Sequence, residues 1–383
     1  MDFSWSSEQL AFKQDIVDFA TKNLNVDTAA RDLNCEFPFE LWKKCADFGI
    51  LSMSVASQYN HSKQDTEFMT AMLAMEALGY GCRDNGLTFA LNAQMWTVQL
   101  PILHVGNEQQ KQKYLPAMCR GEIISAHAMT EPEAGSDAYS MQTTATPCDG
   151  GYLLNGKKCL VSLAPIADLI LVYASTDLSL GNWGITAFLI EKGTQGLEQS
   201  AQQTKMGLRT VPIGELTFKN CFVSEQNILG TVGSGVGVSQ SFLDWERCCI
   251  LASQLGAMER QLDECLAFAR KRKQFGKSIG KFQSVANRVV EMRLRLETSR
   301  LLLYKVAWLK GQGQSAMLES ALLKLHLSES FMESSIDAIR IHGGRGYLTE
   351  YEIERDLRDA VGGTLYAGTS DIQRNIVAGI LGL

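Results

Sequence analysis

The chain has 383 residues, 45% hydrophobic and 20% charged, with a net charge of −6 and an isoelectric point near 5.5. That length holds two or three domains, or one large layered unit with a substantial core. The mild acidity argues against a nucleic-acid partner, which would call for a basic face. No apolar run reaches membrane-spanning length, and Met1-Asp2-Phe3-Ser4-Trp5 lacks the basic start and apolar centre of a leader peptide, so a cytoplasmic location is expected.

From Ser7 to about Met118 the apolar residues follow a helical period. Phe12, Ile16, Phe19 and Ala20 form one stripe, and Leu41, Cys45 and Phe48 another that stops at Gly49. Met69, Met72, Leu73, Met75, Ala77 and Leu78 form a third, and Gln109 to Tyr114 reads as a short polar helix before Pro116. Between about Gly121 and Gly230 the period shortens to that of strands, as in Val172-Tyr173-Ala174, Ile185 to Ile190 and Leu216-Thr217-Phe218. Asp149-Gly150-Gly151 and Asn155-Gly156 read as hairpin turns. This middle third is expected to be a small antiparallel barrel or sandwich. After Gly235 helices return, with stripes at Leu255, Met258, Leu262, Cys265 and Phe268, at Val285, Val289, Met292 and Leu296, and at Leu318, Leu322 and Leu325. Long helices with short connections imply an antiparallel bundle. The fold class is α+β: a helical domain over 1–118, a β domain over 119–230, and a four-helix-bundle-like domain over 231–383.

The ten cysteines form no C-x-x-C pair, and the histidines His61, His104, His127, His326 and His342 stand apart, so reduced thiols and no metal site are expected. The chain has no G-x-S-x-G elbow and no G-x-G-x-x-G opening a helix, which weakens serine-hydrolase and nicotinamide readings.

Ala126-His127-Ala128-Met129-Thr130-Glu131-Pro132-Glu133-Ala134-Gly135-Ser136-Asp137 combines hydroxyls, small residues and proline where a backbone can approach a flat polar ligand. Its Thr-Glu-Pro-x-Ala-Gly-Ser-Asp core resembles the flavin-contacting signature of the acyl-CoA dehydrogenase family, a resemblance that covers essentially the whole chain. It implies the family's three-domain fold and bound FAD. By that resemblance Met129, Thr130, Gly135 and Ser136 contact the flavin. Ser162 stands where a hydroxyl reaches flavin N5, and Leu160 where an aromatic ring is common. Lys205 to Thr210 matches a segment with a structural role. Arg272, Phe275 and Gln283 match residues that reach the FAD of a neighbouring subunit, which implies a homodimer or homotetramer that shares its cofactor sites. Gly343 and Gly344 match a phosphate-approaching pair, with Arg340 where glutamine is common, and Thr369 matches a further cofactor contact.

The residue before Gly368 is commonly the catalytic glutamate in this family; here it is Ala367. The isovaleryl and long-chain types carry their base instead on a helix, at the position of Glu246. The resemblance therefore makes Glu246 the base that removes the α-proton, leaves Ala367 a role through its backbone N–H, and places Arg247 and Tyr366 beside the substrate. A carboxylate flanked by Phe242, Leu243 and Trp245 is expected to have a raised pKa; an exposed Glu246 paired with Arg247 is the alternative. Stretches such as Glu40-Leu41-Trp42-Lys43-Lys44 and Ala164-Pro165-Ile166-Ala167-Asp168 are similar to the branch that oxidises prolyl groups on acyl or peptidyl carrier proteins, giving pyrroline or pyrrole units for natural products. A short- or branched-chain acyl-CoA dehydrogenase, and a catalytically silent flavoprotein or assembly partner, stand as alternatives. The electron acceptor is an electron-transfer flavoprotein or O2.

Overall fold

The computed structural model describes residues 4–60 and 63–383; Met1 to Phe3 and His61, which enter the readings above, lie outside the described residues. The chain begins with α1 (Ser7–Asn23), α2 (Thr28–Asn34), α3 (Phe39–Phe48), α4 (Phe68–Gly81), α5 (Asn85–Gln94), α6 (Leu100–Val105) and α7 (Glu108–Cys119). A capping box starts α1, in which Ser6 and Gln9 exchange side-chain to backbone bonds of 3.0 and 3.1 Å. Gly49 ends α3 at φ 95, a conformation that favours glycine. The expected stop before Pro116 is not observed. Proline removes one N–H in the last turn of α7, yet Arg120 N–H still bonds the Pro116 carbonyl at 3.1 Å and the helix continues to Cys119.

The middle of the chain forms β1 (Ser125–Ala128), β2 (Thr144–Cys148), β3 (Gly151–Ser162), β4 (Leu169–Ser175), β5 (Ile185–Glu191), β6 (Leu197–Gln199), β7 (Ile213–Ser224) and β8 (Ile228–Leu229). They make one eight-stranded sheet in the order β6-β7-β3-β2-β4-β5-β8, with β1 on β4. Most neighbours are antiparallel as expected, but β1 and β2 both run parallel to β4. The chain returns between β1 and β2 through the long 129–143 loop rather than a hairpin, so both strands point the same way. Asp149-Gly150 does form the turn between β2 and β3. Asn155-Gly156 does not: it lies inside β3 at a register shift, where Gly156 (φ 148) packs so closely on Thr143 that a Cβ would meet its Oγ1 at 2.5 Å. A twelve-residue strand has to bend, and the bulge supplies the bend.

The last third comprises α8 (Gly235–Cys249), α9 (Ala252–Lys271), the hairpin β9 (Lys273–Gln274) and β10 (Lys277–Ser278), α10 (Gln283–Gly311), α11 (Met317–His342), α12 (Gly344–Tyr347), α13 (Ile353–Gly363) and α14 (Ser370–Ile380). The stripe expected at Leu318, Leu322 and Leu325 is only half-buried; Ala321, Leu323, Lys324, Leu327 and Phe331 form the buried side of α11. Helices α8, α9, α10, α13 and α14 all pack on α11, so it buries most of its circumference, serines included. The Lys205 to Thr210 segment joins the sheet to this bundle. Gly207 lies against Arg358, whose carbonyl would be 2.1 Å from an added Cβ. Leu208 N–H bonds Asp359 at 2.5 Å, and Thr210 bonds Asp84 at 2.6 Å.

Candidate active site

Helix α8 buries Gly235, Val238, Ser239, Phe242 and Cys249, and Glu246 falls on the same stripe, four residues after Phe242 and three before Cys249. A carboxylate at an apolar-stripe position is forced against the core. Glu246 keeps a fraction of its surface in contact with solvent, but burial pushes its pKa up to about 7, with the Arg247 charge opposing the rise only in part. The carboxylate makes no hydrogen bond or ion pair among the described residues. Arg247 turns instead to Asp244, 3.4 Å away, and Asp244 also faces Lys310 at 3.6 Å. The exposed Glu246–Arg247 pair is therefore not what the fold builds.

Helix α8, which carries Glu246, packs on β5 of the sheet. The phenol of Tyr173, on fully buried β4, is raised by burial and next by the charge of Glu246, so the two are electrostatic neighbours. His127 of β1 meets the Tyr173 ring edge-on at 5.4 Å, and burial pushes its pKa down to about 4, which leaves it neutral. Tyr139, from the 129–143 loop, lies 3.3 Å from Ser239, on the same face of α8 two turns before Glu246. Sequence reasoning did not single out Tyr139 or Tyr173; Tyr173 reads as one more apolar strand residue until the fold brings the charge of Glu246 within range of its phenol.

The other end of the site is the turn before α14. Tyr366 accepts from Gln254 at 2.7 Å. Ala367 stands at φ 54 and Gly368 at φ 85, and the Gln373 side chain holds both of their carbonyls, at 3.1 and 3.0 Å. The Ala367 N–H donates to no acceptor among the described residues. Thr369 caps α14 through its hydroxyl.

The 129–143 loop is anchored from beneath. Lys158 of β3, wholly buried, donates to the Met129 carbonyl at 2.9 Å and to Glu131 at 2.7 Å. Glu131 also accepts from the N–H groups of Gln142 and Thr143 at 2.6 and 3.0 Å. Burial works against ionisation of Glu131, but Lys158 and these donors outweigh it and hold the carboxyl below its ordinary range. The Cys159 N–H bonds the Thr130 carbonyl at 3.0 Å, so Met129 and Thr130 are fixed along β3. A second register shift, between Lys158 and Val161, puts Leu160 at φ 54 with 64% of its surface exposed, while Ser162 closes the strand. Neither Lys158 nor Glu131 was singled out from sequence, because a buried lysine is visible only once the loop lies over the strand.

Arg272, Phe275 and Gln283 gather at a different corner. Phe275 (φ 48) and Gly276 (φ 77) turn the β9–β10 hairpin, and Phe275 is 92% exposed. Arg272 caps α9 and Gln283 starts α10. Phe268 and His342 stack at 4.3 Å, bringing the ends of α9 and α11 together, so Arg340, Gly343 and Gly344 lie near the same corner. Arg340 pairs with Asp337 at 3.5 Å. Among the described residues no hydrogen bond, ion pair or ring contact joins this corner to the Met129, Thr130, Leu160 and Ser162 surface.

Several of these positions have a form that suits a flat, phosphate-bearing cofactor. Gly135, Gly343 and Gly344 would each place a Cβ in open space, so a ligand can come against bare backbone there. Gly135 and Ser136 are exposed beside the anchored Thr130, and Leu160 offers an apolar surface on the same strand as the Ser162 hydroxyl. Arg272 supplies the planar donor fork that suits a pyrophosphate.

Three domain families match in succession: Acyl-CoA dehydrogenase, N-terminal domain, over residues 6–122; middle domain, over 126–221; and C-terminal domain, over 233–382. L-prolyl-[peptidyl-carrier protein] dehydrogenase of a Serratia species is 40% identical over 383 residues, covering 100% of this chain and 99% of the relative. The crystal structure of the prolyl acyl carrier protein oxidase AnaB superposes with a TM-score of 0.97 at 46% identity, covering 99% of this chain and all of that one (100%). The structure of PigA with FAD and proline superposes with a TM-score of 0.97 at 40% identity, covering 100% of both chains. With three matched domains and full-length relatives at such identity, the chain belongs to the acyl-CoA dehydrogenase family.

Proposed function

We propose that this protein is a cytoplasmic, FAD-dependent dehydrogenase that oxidises an L-prolyl group held as a thioester on a carrier protein, giving a pyrroline or pyrrole unit for natural-product assembly. The observation that carries the reading is the unpaired carboxylate of Glu246, raised to about 7, on a helix facing the sheet, while the turn position used elsewhere for a base is Ala367. Full-length similarity to carrier-dependent prolyl enzymes supports the substrate. The division into units over 1–118, 119–230 and 231–383 belongs to the same proposal.

Glu246 in its ionised form takes the proton from the α-carbon of the thioester. A carboxylate with a pKa near the working pH is a stronger base than an ordinary carboxylate and is still about half ionised. Charge released at the α-carbon moves onto the thioester oxygen, where the unpaired N–H of Ala367 is available to donate. Bound FAD supplies the acceptor for the hydride that leaves the β-carbon. Met129, Thr130, Gly135, Ser136, Leu160 and Ser162 would hold the flavin end, with Thr369 beside them. Arg272, Phe275, Gln283, Arg340, Gly343 and Gly344 would hold the phosphate end of a cofactor shared with a second copy. Arg247 and Tyr366 border the substrate.

Self-association is supported by an exposed apolar stripe on α10, where Val290, Leu294 and Leu301 are 63%, 55% and 52% exposed. The partners are then a carrier protein, a second copy of this chain, and an electron-transfer flavoprotein or O2 as acceptor. The test is turnover of the flavin-loaded protein with prolyl carrier protein against short and branched acyl-CoA thioesters, with products identified by mass. Loss of hydrogen from the prolyl carrier alone supports the reading. Oxidation of acyl-CoA thioesters alone would move the protein to the acyl-CoA branch, and no turnover of either would favour a silent flavoprotein.

A further inference from the structure

The turn between β4 and β5 presents apolar side chains that no described residue covers. Leu178, Leu180 and Trp183 are 55%, 55% and 81% exposed, and Val232, in the segment leading into α8, is 53% exposed. The two segments touch. Gly233 packs on Trp183, whose carbonyl would be 2.6 Å from an added Cβ, and the Gly233 N–H donates to the Thr186 hydroxyl at 2.8 Å. The turn is also pinned at both ends: Asp177 accepts from the Ser179 N–H at 2.9 Å, and Thr176 donates to the Gly184 carbonyl through its N–H at 2.7 Å and its hydroxyl at 2.8 Å. A fixed apolar surface that faces water and includes a tryptophan has the make-up of a contact site.

Charge and distance say what it fits. Residues 178–184 and 230–243 contain no Asp, Glu, Lys or Arg, although 20% of the chain is charged. Depletion of charge marks the centre of protein interfaces. An acidic protein can close on this neutral surface without repulsion, whereas a nucleotide tail bearing several phosphates finds no cation in either segment to neutralise it. Gly235, packed on the Ile185 carbonyl, opens α8, and Glu246 lies eleven residues further along the same unbroken helix, about 16 Å at 1.5 Å per residue. A phosphopantetheine arm joins its phosphorus to its sulfur through about fourteen atoms, comparable to the backbone of about five extended residues, and so reaches about 15–17 Å. A carrier protein seated on the patch therefore delivers its thioester to the carboxylate with the arm extended.

Resting on the proposed prolyl thioester, we propose that the Leu178, Leu180, Trp183 and Val232 surface is where the carrier protein docks. The contact is apolar and reversible, involves no covalent step, and holds the protein body of the carrier rather than its acyl group. It raises affinity for the loaded carrier and leaves the chemistry at Glu246 untouched, so its loss belongs in KM.

The experiment compares two prolyl thioesters on the flavin-loaded protein: prolyl carrier protein, and prolyl-pantetheine, which keeps the arm and lacks the protein. Trp183→Glu and, separately, Leu180→Glu should raise KM for prolyl carrier protein at least about tenfold with kcat within about twofold, while kcat/KM for prolyl-pantetheine stays within about twofold of wild type. Trp183→Phe, which keeps an aromatic ring there, should change KM for the carrier by less than about threefold. Both glutamate variants should keep wild-type FAD content and sedimentation. Equal loss on the two substrates, or an unchanged KM for the carrier in both glutamate variants, would overturn the assignment. Altered sedimentation in either variant would overturn it as well, giving the patch to a second copy of this chain. A wild type that turns over neither prolyl thioester would overturn the substrate reading, a result separate from any of these.

Discussion

Replacing Glu246 by glutamine should remove activity and add stability, and the two effects should have different pH dependences. The rise of its pKa from 4.5 to about 7 comes chiefly from burial, and at about 1.4 kcal/mol for each pKa unit it corresponds to about 3 kcal/mol. A carboxyl whose pKa is raised in the folded state contributes stability that is fully present below 4.5 and is lost as pH rises through about 7. Glutamine has the same shape without the ionisation. Glu246→Gln should match the wild type at pH 4 and exceed it at pH 8 by about 2–3 kcal/mol, read as a shift in urea unfolding of the flavin-free protein. Loss of a positioned base should lower kcat by about 100-fold to 10,000-fold. Equal unfolding midpoints at pH 8 would show that the carboxylate is not desolvated, and a kcat within a few-fold of wild type would show that it is not the base.

The pH profile follows from the same group: wild-type kcat/KM should rise with pH and reach half its maximum near 7, and Glu246→Asp should keep a limb that Glu246→Gln lacks. Lys158→Met strands the buried Glu131 carboxylate and should cost about 3–5 kcal/mol, with weakened FAD retention; adding Glu131→Gln should recover part of the stability, as seen by denaturation of each variant. Gly344→Ala meets open space in the protomer, so the flavin-free protein should unfold within about 0.5 kcal/mol of wild type while the dissociation constant for FAD rises at least tenfold. Leu294→Glu in the exposed α10 stripe should shift sedimentation toward a smaller species and reduce bound FAD if two copies share each cofactor.

Much of the architecture is legible in the order of residue types. The periods of Phe12 to Ala20 and Leu255 to Phe268 fall on α1 and α9 because each has a buried side to advertise, and Met69 to Leu78 falls on α4, which is buried all round from Ala71 to Gly79. The failures come where local chemistry is overruled by neighbours. Asn155-Gly156 has the composition of a turn, but Thr143 and β7 hold it inside a bulged strand. Leu318, Leu322 and Leu325 give α11 one apolar face, whereas helices packed around it bury a lysine and several serines instead. At the site, the motif residues and Glu246 can be found from sequence because they recur in recognisable order. Tyr173 and Lys158 cannot, since each acquires its meaning from a neighbour that only the fold supplies: the charge of Glu246 for the one and the Glu131 carboxylate for the other.

Proton removal by Glu246 from a carrier-bound prolyl group is open to direct measurement. Carrier protein loaded with α-deuterated L-proline should be mixed anaerobically with the flavin-loaded protein in a single turnover, and flavin bleaching followed by absorbance. Bleaching slowed several-fold by the deuterium, and abolished in Glu246→Gln at unchanged flavin content, is the expected result. Bleaching that proceeds equally well in Glu246→Gln, or that occurs with acyl-CoA thioesters and not with the prolyl carrier, would contradict it.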